Sequence, residues 1–282
     1  MSDARARSHA FLPEPSPRRA DEEFTLGDGA LDLWLMRSPH PDRAHLLDRS
    51  ELDAAERRRA DSFIRPADGL LYATVHVALR RLLGRYLDTA PKDVRFTREP
   101  CPGCGERHGR PALDLPAPPL HFSLSHSSTV AFIGVATTPL GVDVERLPGA
   151  ETIDVCVGAL HLDEQRELAG CPAGTERAAA FGRIWTRKEA YLKGIGTGLS
   201  RSPAQDYLGA RAERHPAGWT VLDVPCGATH AAAVAVRGGV PLSTRVRLLE
   251  EEWLRAGPPA GPAAPADGHR APALARRPTT RT

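Results

Sequence analysis

Two short segments concentrate residues that could do chemistry: Gly141-Val-Asp143-Val-Glu145 and Trp185-Thr-Arg-Lys188-Glu189-Ala-Tyr-Leu-Lys193. The first alternates strictly. Strand side chains point to opposite faces with period two, so Asp143 and Glu145 stand side by side. The second reads as a helix, where positions four apart share a face, which aligns Glu189 with Lys193. Three carboxylates for a hard cation and an ammonium for a phosphate point to chemistry on a phosphate ester. Magnesium takes oxygen ligands and is held by a few carboxylates plus substrate phosphates, so Asp143, Glu145 and Glu189 suit it. Zinc prefers Cys and His. The bland alternatives are a polar edge strand and a solvated Glu–Lys helix face. Val142 and Val144 weaken the first by giving that strand an apolar side, and Gly141 leaves room at its start. Among 37 basic residues, just Lys92, Lys188 and Lys193 are lysine, so two lysines five positions apart stand out. Lysine supplies a mobile point charge where arginine supplies a rigid fork.

Phe122-Ser-Leu-Ser125-His126-Ser127 is a second polar cluster. On a strand, Ser123, Ser125 and Ser127 share one face. No G-x-S-x-G elbow is present, and adjacent Ser and His on alternating faces do not make a nucleophile–base pair. Phosphate contact by His126 is the better reading. Cys101-Pro-Gly-Cys104 with His108 imitates half of a zinc site, but Cys156, Cys171 and Cys226 lack a matching Cys-x-x-Cys spacing. Gly194-Ile-Gly196-Thr-Gly198 follows a helix, whereas a dinucleotide fingerprint follows a strand, so it reads as a helix end and a loop that completes a site.

These residues need elements to hold them. Leu31–Met36, Leu120–Ser125, Val130–Ala136, Leu140–Arg146, Trp219–Val224 and Ala231–Val236 have strand patterns, with a turn at His126–Thr129. Ser50-Glu-Leu-Asp53 resembles a capping box opening a helix with Arg57, Arg58 and Arg59. A second helix follows Pro66, with Leu71, Val75, Ala78, Leu79, Leu82 and Tyr86 at helical spacing. Beside that stripe, Tyr72, His76 and Arg80 form a ridge that is equally a binding surface or a packing seam. A helical stretch spans His161–Ala169. Thr175 is placed to cap a long helix closed by Gly194. Helices and antiparallel-type strands recur in two series, which gives an α+β protein of two halves, 25–138 and 139–256.

The 282 residues allow one large domain or two modest ones, and the 41% hydrophobic fraction suffices for real cores. A net charge of +2 gives no global field for nucleic acid or membrane. No apolar run is long enough to span a bilayer, the polar start has no signal-peptide core, and five unevenly spread cysteines argue against a disulfide framework. A soluble, cytoplasmic protein is expected. Segments 1–24 and 257–282, rich in Pro and Arg, are expected to be disordered tails.

The motifs resemble those of the 4′-phosphopantetheinyl transferases of the surfactin-synthetase-activating type. Gly109-Arg110-Pro111 stands where that family has Gly-Lys/Arg-Pro, and Phe122–Ser127 resembles its Phe-x-x-Ser-His-Ser segment. Gly141-Val-Asp143-Val-Glu145 and Trp185-x-x-Lys188-Glu189-Ala-x-x-Lys193 follow in the same order, and the likeness covers about residues 30–250. It implies a pseudo-twofold monomer of two α+β halves with the active site in the cleft between them. It also implies transfer of the phosphopantetheine arm of coenzyme A to a serine of an apo acyl or peptidyl carrier protein, releasing adenosine 3′,5′-bisphosphate. By position, Asp143, Glu145 and Glu189 would hold magnesium. Lys193 and His126 would meet the phosphates of coenzyme A, and Arg59, Arg110 and Ser125 its nucleotide end. The catalytic pair would be Glu189 and Lys193. One departure is Gly69-Leu70-Leu71, where relatives carry a basic residue. The rival readings are a magnesium-dependent phosphodiester hydrolase and a zinc- and nucleic-acid-binding module.

Overall fold

The computed structural model describes residues 24–255. In chain order the elements are β1 (Ala30–Arg37), α1 (Ala54–Asp61), α2 (Pro66–Leu87), β2 (Phe96–Arg98), β3 (Pro111–Leu113), β4 (His121–Ser127), β5 (Val130–Ala136), β6 (Leu140–Arg146), α3 (Ala150–Cys156), α4 (Leu162–Ala169), α5 (Thr175–Ile195), β7 (Trp219–Asp223), β8 (His230–Arg237) and β9 (Ser243–Leu249).

Strand alternation builds the layers. In β1, Leu31, Leu33 and Leu35 face one core while Trp34 and Met36 face another. The first sheet has the order β4-β5-β1-β9, antiparallel except for the parallel β1–β9 pair. The second is antiparallel, in the order β6-β8-β7. Helix α2 lays Leu71, Val75, Leu79 and Leu82 over the outer face of the first sheet, against Trp34, Phe122 and Ile133. Helix α5 covers the second sheet with Ala190, Tyr191 and Leu192 against Ala233 and Ala235. Between the sheets, Leu31, Leu33, Leu35 and Phe132 meet Val142, Val144 and Val234 in a shared core. This helix–sheet–sheet–helix stack is the α+β architecture of two similar halves.

Several boundaries differ from the sequence reading. Helix α1 is opened by a capping box of Asp53 and Glu56, not Ser50 and Asp53, because Asp48 and residues 49–51 form their own short turn. Gly174 precedes α5, and Gly196, at φ +82°, ends it in place of Gly194. Strand β4 runs on through Ser127, leaving a two-residue turn at Ser128 and Thr129, with Ser128 at φ +56°. Helix α3 and strands β2, β3 and β9 were not anticipated. Strand β9 also shows that the halves are not strictly sequential, since residues after 242 return to the first sheet. Phe24, at the end of the expected first tail, is buried and stacks on Trp34 at 5.6 Å. The rest of residues 1–24 and the segment 257–282 lie outside the described residues.

Two buried ion pairs clamp the ends of this frame. Asp32 on β1 accepts from Arg245 of β9 through Nε (2.5 Å) and Nη2 (2.6 Å), and from the hydroxyl of Tyr86 on α2 (2.5 Å). Arg80, fully buried in α2, reaches Glu56 (2.8 Å), Asp53 (3.1 Å) and the carbonyl of Val94 (2.8 Å). Its position on the Tyr72–His76 ridge is therefore a packing seam.

Candidate active site

The site is assembled where β4 meets β6. All three serines on one face of β4 reach across. Ser123 Oγ accepts from the Val142 N–H (3.0 Å), Ser125 Oγ donates to Asp143 Oδ1 (2.8 Å), and Ser127 Oγ donates to Glu145 Oε2 (2.7 Å). Helix α5 brings in the remaining groups. It approaches β6 so closely that a Cβ added at Gly141 would lie 2.0 Å from the Ala190 carbonyl oxygen and 2.4 Å from the Gly194 nitrogen. Glycine at 141 is thus what lets Glu189 and Lys193 come beside the strand acids.

Lys193 Nζ donates to Asp143 Oδ1 (2.6 Å) and Ser125 Oγ (2.9 Å). Asp143 is buried, and its second oxygen, Oδ2, meets no donor. Burial lifts the carboxyls of Glu145 and Glu189 above the usual range. The negative charge of Asp143 adds to this at both, while Lys193 opposes it. The three acids therefore form one electrostatic cluster around a single ammonium. Among the described residues their oxygens do not all fall within 4.8 Å of one another. Like charges in a half-buried space repel, and Asp143 is drawn to Lys193. Oxygen-only donors and the orphaned Asp143 Oδ2 fit a hard divalent ion such as magnesium.

A cleft of about 560 Å³ opens beside this cluster, with Lys193, His76, Phe122 and Arg110 in its wall and Thr197 and Ser200 from the loop after α5. The loop after α5 thus lines the cleft. His76 Nδ1–H donates to the Tyr72 carbonyl (2.8 Å), which leaves Nε2 as an acceptor, and its ring stacks on Tyr72 at 3.9 Å. Burial holds His76 and His126 below the ordinary imidazole value, and at His126 the neighbouring His76 and Lys193 push the same way.

Residues 139–231, which contain β6, α5 and all three acids, match the family described as the 4′-phosphopantetheinyl transferase superfamily. The chain is 29% identical to the 4′-phosphopantetheinyl transferase HetI of Nostoc sp. over 82% of its own length and 94% of the relative's. It is 32% identical to a putative 4′-phosphopantetheinyl transferase of Synechocystis sp. over 53% of this chain and 58% of that protein. It is 35% identical to the transferase AcpT of Salmonella typhimurium over 43% and 57% of the two chains. These matches make the chain similar to 4′-phosphopantetheinyl transferases, with the family model covering the part that carries the three acids.

The expected site residues divide. Lys193 meets Asp143, with Glu145 and Glu189 in electrostatic reach but not gathered to one set of ligand distances, and Arg110 lines the cleft, donating to the Gly194 carbonyl (2.9 Å) and pairing with Glu99 (2.7 Å). Ser125 is engaged by Asp143 and Lys193. It lies buried under Lys193, because the face it shares with Ser123 and Ser127 is the face that meets β6. Arg59 is exposed on α1 with its guanidinium over the Phe63 ring (4.8 Å), outside the cleft wall. His126, on the alternate face of β4, is half-buried toward His76. Lys188 is not a substrate group. It is buried, pairs with Glu164 (2.7 Å) and donates to the carbonyls of Pro203 (2.8 Å) and Asp206 (2.6 Å). The cleft residue that the sequence left undecided is His76, whose four-residue spacing from Tyr72 was the available signal.

Proposed function

We propose that this protein is a phosphopantetheinyl transferase of the surfactin-synthetase-activating type and moves the phosphopantetheine arm of coenzyme A onto a serine of an apo carrier protein. The carriers are those of fatty-acid, polyketide or non-ribosomal-peptide synthesis. The reading rests above all on Lys193, which bridges Asp143 and Ser125 beside Glu145 and Glu189 at the wall of the cleft.

In this reading coenzyme A would occupy the cleft of about 560 Å³, with its nucleotide end toward Arg110 and its phosphates toward Lys193 and His126. Asp143, Glu145 and Glu189 would hold magnesium, which when bound neutralises pyrophosphate oxygens and favours in-line displacement. Glu189 takes the proton from the carrier serine hydroxyl. The serine oxygen then bonds to the phosphorus that bears pantetheine, and the bond from that phosphorus to the bridging oxygen breaks. Adenosine 3′,5′-bisphosphate leaves with the bond's electron pair. The Lys193 ammonium meets the charge that develops on it, in a site where water is partly excluded. Arg59 and Ser125 keep no direct substrate role in this reading. No helix of the described residues is long and apolar enough to cross a membrane, and we take the working form to be a cytoplasmic monomer.

The test is intact mass of several apo carriers incubated with the protein, coenzyme A and magnesium. A gain of one phosphopantetheine on the carrier, absent with chelator, is expected. Release of phosphopantetheine without any carrier would make the protein a hydrolase and overturn the reading.

A further inference from the structure

The loop between β2 and β3 carries three side chains to which the proposed transfer assigns no role, one of which, His108, lies at the cleft wall. One ligand atom from each of Cys101, Cys104 and His108 lies within 4.8 Å of the other two, and Cys104 Sγ is 2.9 Å from His108 Nε2. The backbone aims the sulfurs. Amides of Gly103 and Cys104 donate to the Cys101 sulfur, and the Gly105 N–H donates to the Cys101 carbonyl (2.8 Å). Gly105, at φ +79°, takes the left-handed conformation that turns the chain back beneath the pair. The Glu106 carbonyl then accepts from both Cys101 N–H (2.7 Å) and His108 N–H (2.8 Å), bringing the histidine round to the cysteines. Cys101 is buried, whereas residues 102–108 are all exposed, so an ion can reach the three groups from solvent. No apolar cluster supports this excursion, and a turn so exposed lacks the burial that usually fixes a loop.

We propose that Cys101, Cys104 and His108 bind one zinc ion through two thiolates and a neutral imidazole, with solvent in the fourth position. Tetrahedral zinc with bonds of about 2.3 Å to sulfur and about 2.0 Å to nitrogen places its ligand atoms roughly 3.5 Å apart, so the three groups need shift by less than about 1 Å. Soft thiolates select zinc over the hard cation that the carboxylate cluster suits. Among the described residues no fourth His, Cys, Asp or Glu joins the group. Binding releases the two thiol protons to solvent. The ion acts as a clip. His108 is followed at once by Gly109, whose N–H donates to the Glu99 carbonyl (2.9 Å), and by Arg110, which pairs with Glu99 and lines the cleft. Fixing the loop fixes that end of the cleft, so Cys101, Cys104 and His108 are positioning residues for Arg110.

The experiment uses the untagged full chain, loaded with zinc, dialysed against a weak chelator and measured for total metal. One zinc per chain is expected. Cys104→Ser and His108→Ala, both exposed positions that leave the core intact, should each weaken zinc retention by about tenfold or more, since even an outer partner of a ligand is worth that much. Cobalt loaded in its place should show a thiolate charge-transfer band that Cys104→Ser removes. The same variants should raise KM for coenzyme A more than they lower kcat. Substoichiometric zinc after loading, zinc content untouched by both substitutions, or a Cys101–Cys104 disulfide in the purified chain would overturn the proposal. Metal content is read without any transfer assay, so failure here and failure of the transferase reading are distinguishable.

Discussion

Lys188 and Lys193 sit five residues apart in one helix and do unlike work. Lys188 neutralises the fully buried Glu164, which also accepts from the Leu208 N–H (2.6 Å), so the pair ties α4 and the 203–208 segment to α5. Lys193 faces the cleft. Lys188→Met should therefore strand a buried carboxylate and cost about 3 kcal/mol of stability, read as a lowered Tm, with transfer by the folded fraction retained. Lys193→Ala should leave Tm nearly unchanged and lower kcat by about a hundredfold, the scale of one lost electrostatic stabiliser. If the two variants exchanged these phenotypes, the division of roles would be wrong. Glu189→Gln keeps shape and removes the proposed base; kcat should drop at least about a hundredfold while calorimetry still detects coenzyme A binding. Near-normal transfer by that variant would take Glu189 out of the mechanism. At this scale the sequence revealed the residue types and their shared faces, such as Ser123, Ser125 and Ser127. It could not reveal that this face meets β6, because that contact joins segments some eighteen residues apart through the serine hydroxyls rather than through a strand ladder.

The decisive contact between elements is α5 on β6. Its closeness depends on Gly141, where a Cβ would collide with backbone atoms of α5 that cannot rotate away. Gly141→Ala should cost at least about 1–3 kcal/mol by overpacking, and should also lower transfer by the protein that remains folded, because α5 carries Glu189 and Lys193. Gly239→Ala, where nothing lies within 4 Å of an added Cβ, is the matched control and should be silent in both assays. Equal behaviour of the two variants, in thermal unfolding and in transfer, would refute the account. Helical periodicity revealed α2 and α5. It mistook Gly194 for the end of α5, since glycine signals a helix end and a close helix–strand approach equally well, and only the packing of Gly194 near Gly141 and Trp219 distinguishes them.

At the scale of the whole chain, the two halves are not separable units. Leu31, Leu33 and Leu35 share one core with Val142, Val144 and Val234, and β9 closes the first sheet from the far end of the sequence. A fragment of residues 24–138 would leave the edge of β1 open and the buried Asp32 without Arg245. Neither that fragment nor 139–255 should unfold cooperatively by circular dichroism when expressed alone. A sharp thermal transition in either would show that the halves are independent.

Strand alternation, helical period and the order of the polar motifs determined on their own that this is an α+β protein with carboxylates and a lysine fit for phosphate chemistry, because those signals are local and repeat within a few residues. Tertiary structure decided which of two lysines faces the cleft, which serine face is spent on holding β6, and that two cysteines and a histidine converge at the cleft rim. Each of those outcomes depends on which surfaces are buried against which, and burial between distant segments has no local signature.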